Sequence, residues 1–200
     1  MAGRIVPKLS VVRGVDLGHL QTLFSEARRL SKQSEFVVIG SLSILGIVPG
    51  QGQIPARMLM SIDVDCYSKS DPGRLHELRE KLGVGSPFEA QHGYYLDPVS
   101  PDICTLPDQW EYRLIRVPLE DGVVVFFLDP NDAAVSKYAR CDVRDREWIR
   151  AGLEAGLLSS SIVEARFRDT NFLDDAERDR AYKALAEDRD ATTKAALKRP

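Results

Sequence analysis

The chain has 200 residues, 44% of them hydrophobic and 28% charged, with a formal net charge of −3. It is about one domain long and too apolar to be disordered, and its overall charge does not argue for a nucleic-acid coat protein, though it leaves room for a local basic patch. Its three cysteines (Cys66, Cys104, Cys141) and three histidines lack zinc-site spacing, no apolar run is long enough to span a membrane, and the N-terminus lacks the core of a signal peptide; a soluble cytoplasmic protein with free thiols is expected.

Asp16 caps a predicted amphipathic helix in which Leu17, Leu20, Leu23, Phe24, Ala27 and Leu30 recur at three- and four-residue steps, ending near Gln33. Phe36–Ile39 reads as a buried strand, followed by a tight turn at Gly40-Ser41 and a short buried helix. The stretch 48–56, punctuated by Pro and Gly, is a loop. Residues 60–67 alternate and predict a strand. Asp71-Pro72 opens a helix through Leu82, which Gly83 ends. A strand is expected over Gln91–Val99, then a hairpin of Tyr112–Pro118 and Val123–Leu128. Asp129-Pro130 opens a helix to about Ala139, Val143–Leu157 forms another, and the polar segment from Asp174 to Lys198 is helical. The fold class is therefore α+β: a mixed sheet in a core of residues 1–128, with a helical region over 129–200 packed on it.

The segment Ser61-Ile62-Asp63-Val64-Asp65 carries the chemistry. Carboxylates at i and i+2 of a strand project from one face, where two anions repel unless a cation sits between them. Mg²⁺, or Mn²⁺, suits such a pair, because it takes one or two carboxylates and completes its shell with substrate phosphates. The plain alternative is a solvent-facing edge strand with two surface acids; the apolar Ile62, Val64 and Cys66 argue for a half-buried one. Gly40-Ser41, at a strand-to-helix turn, lets backbone approach a phosphate closely and adds a hydroxyl. A tight structural turn would look the same.

Taken together, apolar strand, Gly-Ser, helix and a neighbouring strand bearing Asp63-Val64-Asp65 resemble the nucleotidyltransferase superfamily with the DNA polymerase β-like fold. The run Leu128-Asp129-Pro130-Asn131-Asp132-Ala133-Ala134-Val135-Ser136-Lys137-Tyr138-Ala139, followed by Arg144-Asp145, is similar to the signature of the minimal, AbiEii-type nucleotidyltransferases. Within that group the chain most resembles the DUF6036 family, as does Leu106-Pro107 with Trp110, Arg113 and Leu114. The resemblance spans about residues 34–157 and implies metal-dependent transfer of a nucleoside monophosphate from an NTP to an RNA or protein acceptor. It also implies a toxin–antitoxin or phage-defence setting with a cognate antitoxin.

Carried over residue by residue, Gly40, Ser41 and Lys137 would hold the triphosphate and Asp63 and Asp65 the metal. The usual third carboxylate falls first to Asp97 and second to Asp102. The family's arginine ahead of the aspartate pair is displaced here to Arg57. Lys137 is placed at the cleft mouth, where its loss should spare the fold, and Arg144 and Asp145 are read as a structural pair. Arg140 and Arg144 could meet a polyanionic acceptor, Trp110 and Trp148 are packing aromatics, and His92 is structural. The competing reading is a non-catalytic module that binds a nucleotide or partner on the same fold.

Overall fold

The computed structural model describes residues 14–47 and 54–196. The N-terminal 13 residues, positions 48–53 of the expected loop, and positions 197 and 198 of the expected last helix lie outside the described residues. The first helix, α1, spans Leu17–Ser31; the Asp16 carboxylate accepts from the His19 amide at 2.9 Å and the His19 side chain accepts from the Asp16 amide in return.

Strand β1 (Glu35–Val38) leads through Gly40 into a 3-10 turn at Ser41–Gly46, and β2 is Asp63–Ser68. The predicted helix after Asp71 is instead a 3-10 segment, Pro72–Leu78, that relaxes to α only in a single turn, α2 (Arg79–Leu82). The Asp71 side chain makes no capping bond, and its carbonyl accepts from Arg74 at i+3, so the segment begins in the tighter geometry.

The strand expected over 91–99 is shorter, because Ser86 and Pro87 start a helix, α3 (Pro87–His92), with the Ser86 hydroxyl accepting from the Glu89 amide. Gly93, at φ 79°, ends it in the left-handed conformation and launches β3 (Tyr95–Pro98). The hairpin is present as β4 (Ile115–Pro118) and β5 (Val124–Phe127), its first strand preceded by a 3-10 turn at Trp110–Arg113. Four helices follow: α4 (Pro130–Arg140), α5 (Val143–Glu154), α6 (Ser160–Arg168) and α7 (Asp175–Ala196). The sequence reading did not separate α6, which Ser159 caps and which buries Val163 and Phe167.

The five strands form one mixed sheet in the order β3-β2-β1-β5-β4. The pairs β1–β5 and β2–β3 are parallel, while β1–β2 and β4–β5 are antiparallel. Strand alternation sends Phe36, Val38, Val64, Cys66, Leu96, Val125 and Phe127 to one face, where α1 and the 72–88 segment cover them. Val37, Ile39, Tyr67 and Phe126 go to the other face, packed by α4, α5, α6 and α7. Tyr138 of α4 donates to Asp188 of α7, and Arg146 and Arg150 of α5 bind the same fully buried carboxylate, tying these helices together. Among the described residues no helix is long and apolar enough to cross a membrane.

Candidate active site

On β2, Asp63 and Asp65 alternate with the buried Val64 and Cys66, so both carboxylates emerge on the face that carries Tyr67. Parallel pairing sets Asp97 of β3 directly beside Asp65, and Tyr95 beside Asp63. One oxygen from each of Asp63, Asp65 and Asp97 lies within 4.8 Å of the other two. The acid brought beside the pair is Asp97; Asp102 lies outside this cluster, in the exposed turn Pro101–Ile103. Ser61 donates its hydroxyl to Asp63. Burial, then the neighbouring Asp63 and Asp97, push the Asp65 carboxyl up to about 7.

This donor set fits a hard divalent cation. Three carboxylate oxygens converge, among the described residues no cationic side chain is bonded to any of them, and the gathered charge raises the pKa of Asp65. The backbone next to it is shaped for the same purpose. Gly40 has φ 73° and ψ −153°, and a Cβ built there would stand 2.1 Å from an Asp65 oxygen. Gly40→Ala is accordingly expected to cost more than 1 kcal/mol of stability and to weaken metal binding together. Urea unfolding and Mg²⁺ titration of the variant check both halves; an unaltered Mg²⁺ affinity would show that Asp65 is free to step aside.

Gly40, Ser41, Asp63, Asp65 and Lys137 all line one cleft of about 820 Å³ between the sheet and the α4–α5 helices. Lys137 departs from its expected place at the mouth. Its side chain is 5% exposed, donating to the Ser41 hydroxyl at 2.9 Å and to Asp145 at 3.2 Å, with the Trp148 ring 5.0 Å away. Burial lowers its pKa, against the pull of Asp145.

For Asp145 the sequence reading missed the partners. Its expected partner was Arg144, yet it takes both Lys137 and a two-bond fork from Arg140, at 2.6 and 2.7 Å. Burial opposes its ionisation, but the Arg140 hydrogen bond and the Lys137 charge hold its carboxyl below the ordinary value. The left-handed turn at Cys141, φ 58°, folds the start of α5 back along the end of α4 and creates this pairing. Capping of α5 by Asp142 was the available signal: it puts Asp145 in the first turn of α5, beside the last turn of α4.

The remaining candidates divide. Trp148 is buried and donates to the Ser41 carbonyl at 3.2 Å, so it supports the Gly-Ser turn. Trp110 packs only at the margin of the core. His92 makes a tilted contact with the Phe88 ring at 4.3 Å and an edge contact with Tyr94 at 5.9 Å, beside the core on the far face of the sheet. Arg57 lines the cleft, but is ion-paired with Glu147 of α5. Arg140 and Arg144 are exposed along the cleft's helical side.

A mixed five-stranded sheet that sets three aspartates against a Gly-Ser turn, with a lysine reaching that turn from a packed helix, has the layout of a nucleotidyltransferase-like core. Residues 18–197 match the family model described as a nucleotidyltransferase of unknown function, DUF6036, and the chain belongs to that family. No curated protein and no solved structure matches it significantly.

Proposed function

We propose that the cleft binds an NTP with Mg²⁺ or Mn²⁺ and transfers its nucleoside monophosphate to an acceptor hydroxyl, releasing pyrophosphate. The observation that carries this reading is the joining of Asp63, Asp65 and Asp97 within 4.8 Å beside the Gly40-Ser41 turn. Asp63, Asp65 and Asp97 would hold the metal, which when bound supplies charge neutralisation at the phosphates. Nucleotidyl transfer asks little covalent chemistry of a protein; it asks for positioning and for cations where charge develops.

The residues of the chain divide that work. Gly40 leaves its backbone open to a phosphate, and Ser41 presents a hydroxyl. Lys137 holds that hydroxyl from beneath and adds a positive charge to the floor of the cleft. Asp145 and Arg140 fix Lys137, and Trp148 fixes the turn. An NTP with Mg²⁺ should raise the melting temperature by mass action, and Asp63→Asn should remove the metal-dependent part of the rise. Differential scanning fluorimetry across the four NTPs, with and without Mg²⁺, followed by an assay for pyrophosphate release, makes the comparison. NTP-induced stabilisation without pyrophosphate release would favour the non-catalytic binding module; an undiminished Mg²⁺ response in Asp63→Asn would remove the acids from the metal site. A place in a toxin–antitoxin or phage-defence pair is part of the same proposal and rests on the family resemblance.

A further inference from the structure

The strand directions give the cleft two unlike ends. Strand β1 runs antiparallel to β2, so the Gly40-Ser41 turn leaves β1 at the end where β2 begins, the end that Ser61 and Met60 also occupy. That end is charged and open. Arg57, which reaches Met60, is ion-paired with Glu147, their side chains are 46% and 37% exposed, and Met60 is 64% exposed. Strand β3 runs parallel to β2, so Val99, two residues past Asp97, lies beyond the triad in the opposite direction.

Towards Val99 the lining is of another kind. Ile39 and Leu128 stand in register with Asp65, because the Ile39 amide donates to the Asp65 carbonyl and the Leu128 amide to the Val38 carbonyl, each at 3.0 Å. They form an apolar floor that Val99 continues. After the turn Pro101–Ile103 the chain passes along the cleft as Cys104 and Thr105, both half-buried, and Ser136 lines the cleft from α4. Burial raises the Cys104 thiol and the Ser136 hydroxyl draws it back, so these two side chains meet. Asp65, Arg140 and Lys137 act on the same thiol, so this uncharged slot adjoins the triad.

An NTP carries its phosphates at one end and a flat, uncharged base at the other. With the α-phosphorus at the triad and the outer phosphates at Ser41 and Lys137, the nucleoside is directed away from the turn, towards Val99. The slot suits it. A base has apolar ring faces and a polar edge, and sites for such groups are mostly apolar with a few placed hydrogen-bonding partners. Ser136 and Thr105 supply hydroxyls, each able to donate or accept. At the other end a base would meet an ion pair and open water.

We infer, resting on the nucleotidyltransferase reading above, that the slot between α4 and residues 103–105 is the nucleoside site, and that Ser136 and Thr105 read the edge of the base and so determine which NTP is taken.

The test compares the four NTPs with tripolyphosphate, which has the phosphates and no nucleoside, each with Mg²⁺ and the full chain, by isothermal titration calorimetry. At least one NTP should bind about tenfold or more tightly than tripolyphosphate. Ser136→Leu, which fills the slot from α4, should erase that advantage and leave tripolyphosphate binding as it was. Thr105→Val keeps the bulk and removes a hydroxyl, and should weaken at least one NTP about three- to tenfold relative to the others. A second measurement needs no variant: the favoured NTP should protect Cys104 from N-ethylmaleimide, read by mass spectrometry, and tripolyphosphate should not. NTPs no tighter than tripolyphosphate, a folded Ser136→Leu that keeps the NTP advantage, or equal protection of Cys104 by tripolyphosphate overturns the assignment. Loss of the reading beneath it has a different signature: neither tripolyphosphate nor any NTP binds the unmodified protein with Mg²⁺.

Discussion

Asp65→Asn should sharply reduce nucleotidyl transfer while making the metal-free protein more stable. A folded-state carboxyl raised to about 7 disfavours its own ionisation, so the destabilisation is absent at low pH and grows as pH rises from about 4 to 7. The full difference corresponds to about 4 kcal/mol as a ceiling, and relaxation of the site leaves about 1–2 kcal/mol. Above pH 7, with a chelator present, the variant should melt about 2–8 °C higher than the unmodified protein. The gap should narrow towards pH 4. Transfer should fall about a thousandfold, since several kcal/mol of charge stabilisation go with the metal. Thermal melts with EDTA at pH 5 and pH 8, beside a pyrophosphate assay, check both parts. A variant less stable than the parent at pH 8 would mean that burial and repulsion do not destabilise the ionised Asp65.

Asp145→Ala should be the most damaging single change in the cleft's floor, and more damaging than Lys137→Ala. Removing Asp145 strands the Lys137 ammonium, 5% exposed, without its carboxylate, which for buried pairs costs about 3–5 kcal/mol. Removing Lys137 leaves Asp145 still forked by Arg140, so the loss should be smaller, about 1–3 kcal/mol. Denaturant midpoints for the two variants give the ranking directly; equal losses, or the reverse order, would show that Arg140 does not hold Asp145 on its own. The burial also revises the expectation that a lysine here would be expendable for folding.

The parts of the fold that could be read from the sequence are those whose signals are local. Alternation of Asp63 and Asp65 with Val64 and Cys66 is enough to place two carboxylates on one face, and Asp129-Pro130 is enough to start α4, where the carboxylate accepts from the Asn131 amide at 2.9 Å. What depended on tertiary pairing was harder. Asp97 is the first choice for the third carboxylate from its place on the predicted strand, but its alignment with Asp65 comes from the parallel register of β3 on β2, which residues 91–99 do not announce. Ser86-Pro87 is a helix-start signal that the sequence reading did not use, so the expected strand begins at Gln91, inside α3, rather than after Gly93. The Lys137–Asp145 contact lies across a turn whose left-handed residue is a cysteine, not the glycine that would have announced it.

That dependence on pairing has a consequence during synthesis. Gly40 and Asp65 come from the first antiparallel pair, but Asp97 must wait for the crossover through α2 and α3, and Lys137 has no buried partner until Asp145 has left the ribosome. A nascent chain halted before α5 carries the acids without the closed floor beneath the Gly-Ser turn. Closure of the cleft thereby waits until most of the polypeptide is made, and translation itself sets the moment at which its floor can form.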